Sequence, residues 1–286
     1  DCSGLTSIKI PKSVTSIGHS AFDGCSSLTS IDIPDGVTTI GNYTFYDCSG
    51  LTSIKIPKSV TSIGHSAFDG CSSLTSIDIP DGVTTIGNYT FYDCSGLTSI
   101  KIPKSVTSIG SSAFYGCSGL TSIDIPESVT SIGSYAFEEC SSLTSIDIPE
   151  SVTIIEGSAF SGCNSLEAKL LIYDKGTKCY GWIGDRTKCT NVVIPEGVTS
   201  IGSSAFRSCS SLVSINIPKG VTSIGSSAFY GCSGLTSIKI PESVTSIGDR
   251  SFSGCSNLDV TIDNSKENIK LGYYPFGDCK SVTYLK

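Results

Sequence analysis

A 23-residue period runs through almost the whole chain and limits it to one kind of architecture. Residues 1–46 return without change as residues 47–92, and each such block is itself two related 23-residue units. Pro11, Pro34, Pro57, Pro80, Pro103, Pro126 and Pro149 fall 23 residues apart, and Pro195, Pro218 and Pro241 continue the count after a gap of 46. Every Phe from Phe22 to Phe252 keeps the same step, with Phe276 one residue late. About twelve units begin at Leu5, Leu28, Leu51, Leu74, Leu97, Leu120, Leu143, Leu166, Cys189, Leu212, Leu235 and Leu258. Self-similarity at this period marks a solenoid, in which a unit buries its apolar side chains only by stacking on its neighbours.

Each part of the unit has a physical reading. Leu-Thr-Ser-Ile-x-Ile is β-branched with alternate Ile on one face, so it predicts a strand. The Pro that follows cannot donate to a ladder and ends it. Val-Thr-Ser-Ile predicts a second short strand. The Gly after it (Gly18, Gly41, Gly64) suits a corner with positive φ. Glu156, with Gly157 beside it, breaks this pattern and predicts a shifted turn. Ser-Ala-Phe-x-Gly-Cys predicts one helical or 3₁₀ turn, opened by a capping Ser and closed by Gly. Eight side chains of the first unit are expected inside: Leu5, Ile8, Ile10, Val14, Ile17, Ala21, Phe22 and Cys25. The expected fold is a right-handed coil over residues 1–286. It has a parallel β-sheet on one face and short strands or 3₁₀ or helical turns on the other.

Composition excludes several classes. The net charge of −7 is small and Ile, Val, Leu and Phe recur throughout, which argues against disorder. An acidic chain is not a basic nucleic-acid binder. The longest apolar run, Leu170–Tyr173, falls far short of the ~20 residues of a spanning helix. With no Met and an initial Asp, the chain is expected to be a mature product or a fragment.

The Leu-x-x-Ile-x-Ile-Pro strand, with Ile-Gly-x-x-Ala-Phe-x-x-Cys on the return, resembles the BspA-type leucine-rich repeat of bacterial and protist proteins over essentially the whole chain. The resemblance implies a leucine-rich-repeat solenoid and an extracellular or cell-surface location. It further implies a non-enzymatic, adhesin-like role toward protein or glycan ligands, including host extracellular matrix. No catalytic or binding motif travels with the repeat. The other reading is a structural spacer or filament subunit, since neither end shows a polar cap and end-to-end self-association follows from open solenoid ends.

Two segments depart from the repeat. Residues 164–188 lose the Pro, the Phe and the frame Cys. Leu171–Tyr173 and Thr177–Tyr180 flank Asp174-Lys175-Gly176, a hairpin spacing. This segment also holds the only Trp. Trp182 and Ile183 either replace Ala-Phe in the core or, with Tyr173, Lys175, Tyr180 and Arg186, form an exposed recognition element of hot-spot composition. Residues 259–286 begin with a polar loop, Asp263–Asn268, regain the repeat late at Tyr273–Phe276, and end on a strand-like Ser281–Leu285.

Twelve of the 14 cysteines share one repeat position. Parallel Cβ vectors at the ~4.8 Å strand spacing disfavour bridging, so a reduced, buried ladder is expected. Cys189 occupies a Leu position, and Cys179–Cys189 is the one bridge to look for. No Cys-x-x-Cys pattern suggests a metal, and no cofactor motif is present. The residue between the two strand Ile alternates in sign as Lys9, Asp32, Lys55, Asp78, Lys101, Asp124, and then Asp147. This reads as a solubility and register device, or as a binding face shared with the Thr6, Thr29, Thr52 column. Asn42-Tyr43-Thr44 and Asn88-Tyr89-Thr90 are glycosylation sequons. Tyr43, Tyr46, Tyr89 and Tyr92 form an aromatic cluster on the turn side. His19 and His65 neighbour no nucleophile, and no catalytic constellation is expected.

Overall fold

The computed structural model describes residues 2–286. The chain divides into two compact units. The first runs through Ile155 and takes in Ala159–Leu166; the second comprises Glu156–Ser158 and Glu167–Lys286. Both are parallel β-solenoids of stacked 23-residue turns.

In the first unit, Ser30–Asp32, Ser53–Lys55, Ser76–Asp78, Ser99–Lys101, Ser122–Asp124 and Ser145–Asp147 form a six-stranded parallel sheet. Ile31 lies beside Ile54, and the same register repeats along the sheet. A one-residue slip would turn every Ile outward, so the alternation fixes the register. After Pro ends the strand, its carbonyl accepts the N–H of Val three residues on, as Pro34 O does from Val37 N at 3.0 Å. The second strand is only two residues long, as in Ser16–Ile17, Thr39–Ile40 and Ser62–Ile63.

In the second unit the same two-residue strands, Ser200–Ile201, Ser223–Ile224 and Ser246–Ile247, continue into Lys270–Leu271. Asn191–Val193 pairs with Ser214–Asn216, and Ser237–Ile240, Asp259–Ile262 and Ser281–Tyr284 form a three-stranded sheet. The late Phe276 still stacks on Phe252, at 5.6 Å. The polar Asp263–Asn268 stretch holds a short 3₁₀ turn, Lys266–Asn268.

The core is a set of columns. Leu51, Ile54, Ile56, Val60, Ile63, Ala67, Phe68 and Cys71 are all buried, so the eight expected positions hold for an interior turn. They do not all hold for the first: Ile8 is 40% exposed and Ala21 is also exposed, because only one neighbouring turn covers them. Successive Phe rings of the first unit stack at 5.3–5.6 Å, 5–11° from parallel, a regular column of offset aromatic contacts.

The return segment is not the expected helical turn. Among the described residues, helix is confined to the 3₁₀ turns Arg186–Lys188 and Lys266–Asn268. The supposed capping Ser is itself left-handed: Ser20, Ser66 and Ser112 have φ of 51–52°. Four residues on, a second left-handed residue follows, Gly24, Gly70 or Gly116 in these turns and Asp47 or Asp93 in the turns between. With left-handed residues four positions apart in each return segment, every second amide there points at the following turn. Ser20, Phe22 and Gly24 N–H donate to Asn42, Thr44 and Tyr46 O, at 3.0, 2.8 and 2.8 Å. Left-handed non-glycine residues cost roughly 1–3 kcal/mol each, and these bonds offset that cost. The shift expected at Glu156 does not appear in this frame: Ser158 is left-handed 23 residues after Tyr135.

The glycines after the second strand serve another purpose than the one expected. Gly18, Gly41 and Gly64 are not among the positive-φ residues. A Cβ on Gly133 would lie 2.6 Å from Ser111 N and 2.7 Å from Gly110 C, backbone atoms of the preceding turn. Close stacking, not handedness, requires Gly here. Gly18 occupies the same repeat position but has nothing within 4 Å. Gly133→Ala is therefore expected to destabilise the chain by about 1–3 kcal/mol, while Gly18→Ala stays within about 0.5 kcal/mol; chemical denaturation of the two variants checks this.

The cysteines are unbridged, and those of the interior turns are buried. The thiols from Cys48 to Cys163, and Cys232, Cys255 and Cys279, have a role the periodicity did not reveal: each donates to the carbonyl of the Phe in the preceding turn, as Cys71 Sγ does to Phe45 O at 3.2 Å and Cys94 Sγ to Phe68 O at 3.1 Å. That carbonyl also accepts a backbone N–H from its own turn, Cys48 N to Phe45 O at 3.2 Å, so both lone pairs are used. Burial pushes the Cys48 thiol up to about 12. A thiol reagent at pH 8 is expected to label the exposed Cys2 quickly and the half-buried Cys279 slowly. The 12 buried thiols should react only after unfolding in denaturant; quantitative thiol titration reads the difference.

Candidate functional site

The irregular segment forms the hairpin its spacing predicts. Lys169–Tyr173 pairs antiparallel with Lys178–Ile183, with a bulge between Leu171 and Ile172. Asp174, Lys175 and Gly176 turn with φ of 51°, 54° and 84°, and Thr177 Oγ1 closes the turn on Asp174 O at 2.8 Å. The longer strand then continues the two-residue strands of the second unit, with Cys179 beside Ile201. Cys179 therefore fills an Ile column and Cys189 a Leu column, and neither is bridged.

The five candidate residues are placed differently. Lys175 is exposed at the tip and Tyr173 is partly exposed, with Lys178 Nζ 5.8 Å from its ring centroid and 3.0 Å from Asp174 Oδ2. Trp182 packs partly on the core and keeps part of its indole in solvent; Nε1 donates to Asp185 O at 3.1 Å. Ile183 is buried, as the core-replacement reading expects. Trp182 N–H donates to Ala205 O at 2.9 Å, as Phe206 N–H does to Ala228 O at 2.7 Å, so the Trp backbone takes the place of a Phe. Tyr180, by contrast, is 7% exposed and belongs to the interior.

Arg186 stands 23 residues after Cys163 and 23 before Cys209, in the cysteine column itself. Its guanidinium donates forward to Arg207 O and lies 3.6 Å from Cys209 Sγ, the opposite direction from the thiol bonds of the other turns. Asp185 caps the 3₁₀ turn; the bonds from Thr187 hold its carboxyl below the usual range. Gly181 has φ of 124° and its missing Cβ would strike Ala205, so the backbone seats the hairpin directly on the next turn.

The sheet face keeps its alternating charges side by side: Asp32 lies beside Lys55 and Asp78 beside Lys101, until Asp124 meets Asp147. Its threonines are committed to stacking. Thr52, Thr98 and Thr144 Oγ1 donate to Thr29, Thr75 and Thr121 O, at 3.1–3.2 Å. The sequons are likewise explained structurally. Asn42 Oδ1 accepts His65 N–H at 2.9 Å, and Thr44 Oγ1 is buried on Gly41 O at 2.8 Å.

On the turn side, His19, Tyr43, His65 and Tyr89 alternate edge-to-face at 5.2–5.4 Å. Nearby, burial lifts the Asp69 carboxyl from 3.8 to about 6, with Asp47 and Asp93 adding to it. The unfolded chain releases this proton first, so stability falls as pH rises between about 4 and 6. Asp69→Asn is expected to raise the midpoint of thermal unfolding at pH 7, with the gain vanishing below about pH 4. Among the described residues no group of three or more His, Cys, Asp or Glu side chains is arranged to hold a metal ion, and no helix is long and apolar enough to cross a membrane.

Stacked turns with a Leu/Ile strand, a Pro corner and a Phe-Cys return define a leucine-rich-repeat solenoid. The family model of the BspA type leucine rich repeat region matches in six copies, over residues 1–95, 61–175 and 184–286. The chain belongs to the BspA-type leucine-rich-repeat family. It is similar to a leucine-rich repeat protein from Bacteroides ovatus, with 30% identity and a TM-score of 0.69, over 100% of this chain and 85% of that one. A leucine rich cell surface protein from Faecalibacterium prausnitzii is 28% identical, with a TM-score of 0.57, over 92% and 89% of the two chains. The pneumococcal vaccine antigen PcpA shares the fold at 21% identity and a TM-score of 0.55, over 95% of this chain and 67% of that one. No match was found among curated proteins.

Proposed function

We propose that this chain is a non-enzymatic binding protein of the cell surface or secreted space, adhesin-like, whose hairpin at Lys169–Ile183 recognises a protein or glycan of a host or neighbouring cell. One observation carries the reading. Where the repeat breaks, a hairpin seated on the rigid stack holds Tyr173, Lys175 and Trp182 at the surface, and aromatic residues on a rigid support dominate binding energy. Tyr180 supports the element from within, and Arg186, partly exposed just after it, donates to Arg207 O. The surface location rests on the family and on the Faecalibacterium protein, which is described as a cell surface protein. Extracellular matrix is the first ligand class to test.

The purified chain is expected to bind saturably to at least one immobilised matrix protein or glycan at physiological salt. Lys175→Glu/Trp182→Ser should weaken that binding by about tenfold or more, with circular dichroism unchanged. Undiminished binding by the folded variant would rule out the hairpin as the recognition element. Absence of any binding, with association that grows with chain concentration, would favour the spacer or filament reading.

A further inference from the structure

The turns of the first unit carry a surface of their own. Tyr43 and Tyr89 stand at the left-handed position, φ 56°, that the turns on either side give to Ser20, Ser66 and Ser112. A bulky ring is unfavourable there. Both rings nevertheless join a connected aromatic strip. Tyr43 meets Tyr46 at 5.8 Å, Tyr89 meets Tyr92 at 5.7 Å, and Tyr92 stacks on Tyr115 at 4.5 Å, 3° from parallel. Tyr89 is 39% exposed and Tyr46, Tyr92 and Tyr115 are partly exposed.

Cations are kept away from this strip, while the strand and corner segments carry both signs. The lysines of the unit, Lys9, Lys12, Lys55, Lys58, Lys101 and Lys104, all lie in the strand and Pro-corner segments. The turn segments carry Asp23, Asp47, Asp69, Asp93, Glu138 and Glu139 and no lysine or arginine. The negative field reaches the rings: the charges of Asp47 and Asp69 are the main cause of a raised Tyr46 phenol.

The second unit shows what such a ring accepts. There the repeat position of Tyr46, Tyr92 and Tyr115 is held by Arg207 and Tyr230, and the Arg207 guanidinium lies 5.0 Å from the Tyr230 centroid. Arg250 sits 5.9 Å from Tyr273 in the same manner. The chain thus supplies its own cations to these tyrosines in one unit. In the other it supplies carboxylates instead.

We propose that the turn face of the first unit docks an arginine-bearing protein segment, with guanidinium groups on Tyr46 and Tyr92 and paired to Asp47 and Asp93. A guanidinium gains from both partners, since ring faces attract cations and carboxylates match its planar fork. A neutral glycan would use the rings but gain nothing from the carboxylate charge.

The test uses the full chain and an alternating Arg-Gly peptide, read by isothermal titration at about 0.15 M salt, where exposed charges beyond ~8 Å are screened. The citrulline isostere of the peptide is expected to bind at least tenfold more weakly. Tyr46→Ser/Tyr92→Ser should lose about tenfold in affinity; Ser is already present in that column at Ser161 and Ser253. Asp47→Asn/Asp93→Asn keeps a residue that tolerates left-handed φ, and should lose about five- to tenfold even if the tyrosine variant fails to fold. Asp32→Asn/Asp78→Asn, on the sheet face, should bind as the parent does. The proposal is overturned if the peptide does not bind, if citrulline binds equally, or if the folded turn variants keep full affinity. It is also overturned if the sheet-face variant loses as much, or if a neutral oligosaccharide binds this strip in place of the peptide. Lys175→Glu/Trp182→Ser should leave the peptide affinity unchanged, so this result and that for the hairpin are read independently.

Discussion

No turn of this solenoid can satisfy its own backbone. Beyond a few tight local bonds such as Val37 N–H to Pro34 O, its polar groups find their partners in the turns before and after, and the rest of the structure follows from that dependence. Strand-side amides bond backward, as Thr38 N–H does to Thr15 O. Return-side amides bond forward, as Phe22 N–H does to Thr44 O. The forward bonds need alternate amides aimed one way, which is why left-handed residues recur at Ser20 and Gly24, Tyr43 and Asp47, and onward. Close approach of successive corners then excludes a Cβ at Gly41 or Gly133.

Side chains extend the same ladder. Thr52 Oγ1 reaches Thr29 O, Ser59 Oγ reaches Val37 O at 2.6 Å, and Cys71 Sγ reaches Phe45 O. Each is a short side chain that spans one inter-turn gap and satisfies a second carbonyl lone pair. This accounts for a composition rich in Ser, Thr and Cys without invoking ligand chemistry. It also narrows where recognition can reside: a side chain bonded to the adjacent turn is spent on stacking. Those left over are the hairpin tip, the charged residues of the sheet face, and the outward columns of the turns, where Tyr, His and Asp replace Ser and Gly.

Much of the fold was legible in the primary structure. Pro and Phe spacing set the turn length, Ile alternation set the register, and the Asp174-Lys175-Gly176 spacing marked the hairpin. Other expectations failed for identifiable reasons. Ser-Ala-Phe-x-Gly-Cys has the composition of a capped helical turn, but forward bonding to the next turn overrides local propensity. Gly18, Gly41 and Gly64 read as handedness signals, because a close approach between residues 23 apart leaves no mark in one turn alone. Tyr180 reads as a hot-spot residue in a linear segment, yet strand pairing turns it inward.

The amino-acid sequence by itself determined the period, the solenoid class and the family. These depend on patterns that repeat along one dimension, and repetition is visible without coordinates. Only the tertiary structure decided which members of each pattern remain available. It buried Tyr180, placed Arg186 in a cysteine column, and set Tyr92 on Tyr115. It also paired Arg207 with Tyr230 while leaving the tyrosines of the first unit among carboxylates. Those outcomes depend on lateral neighbours one turn away, and stacking geometry alone fixes which side chains become neighbours.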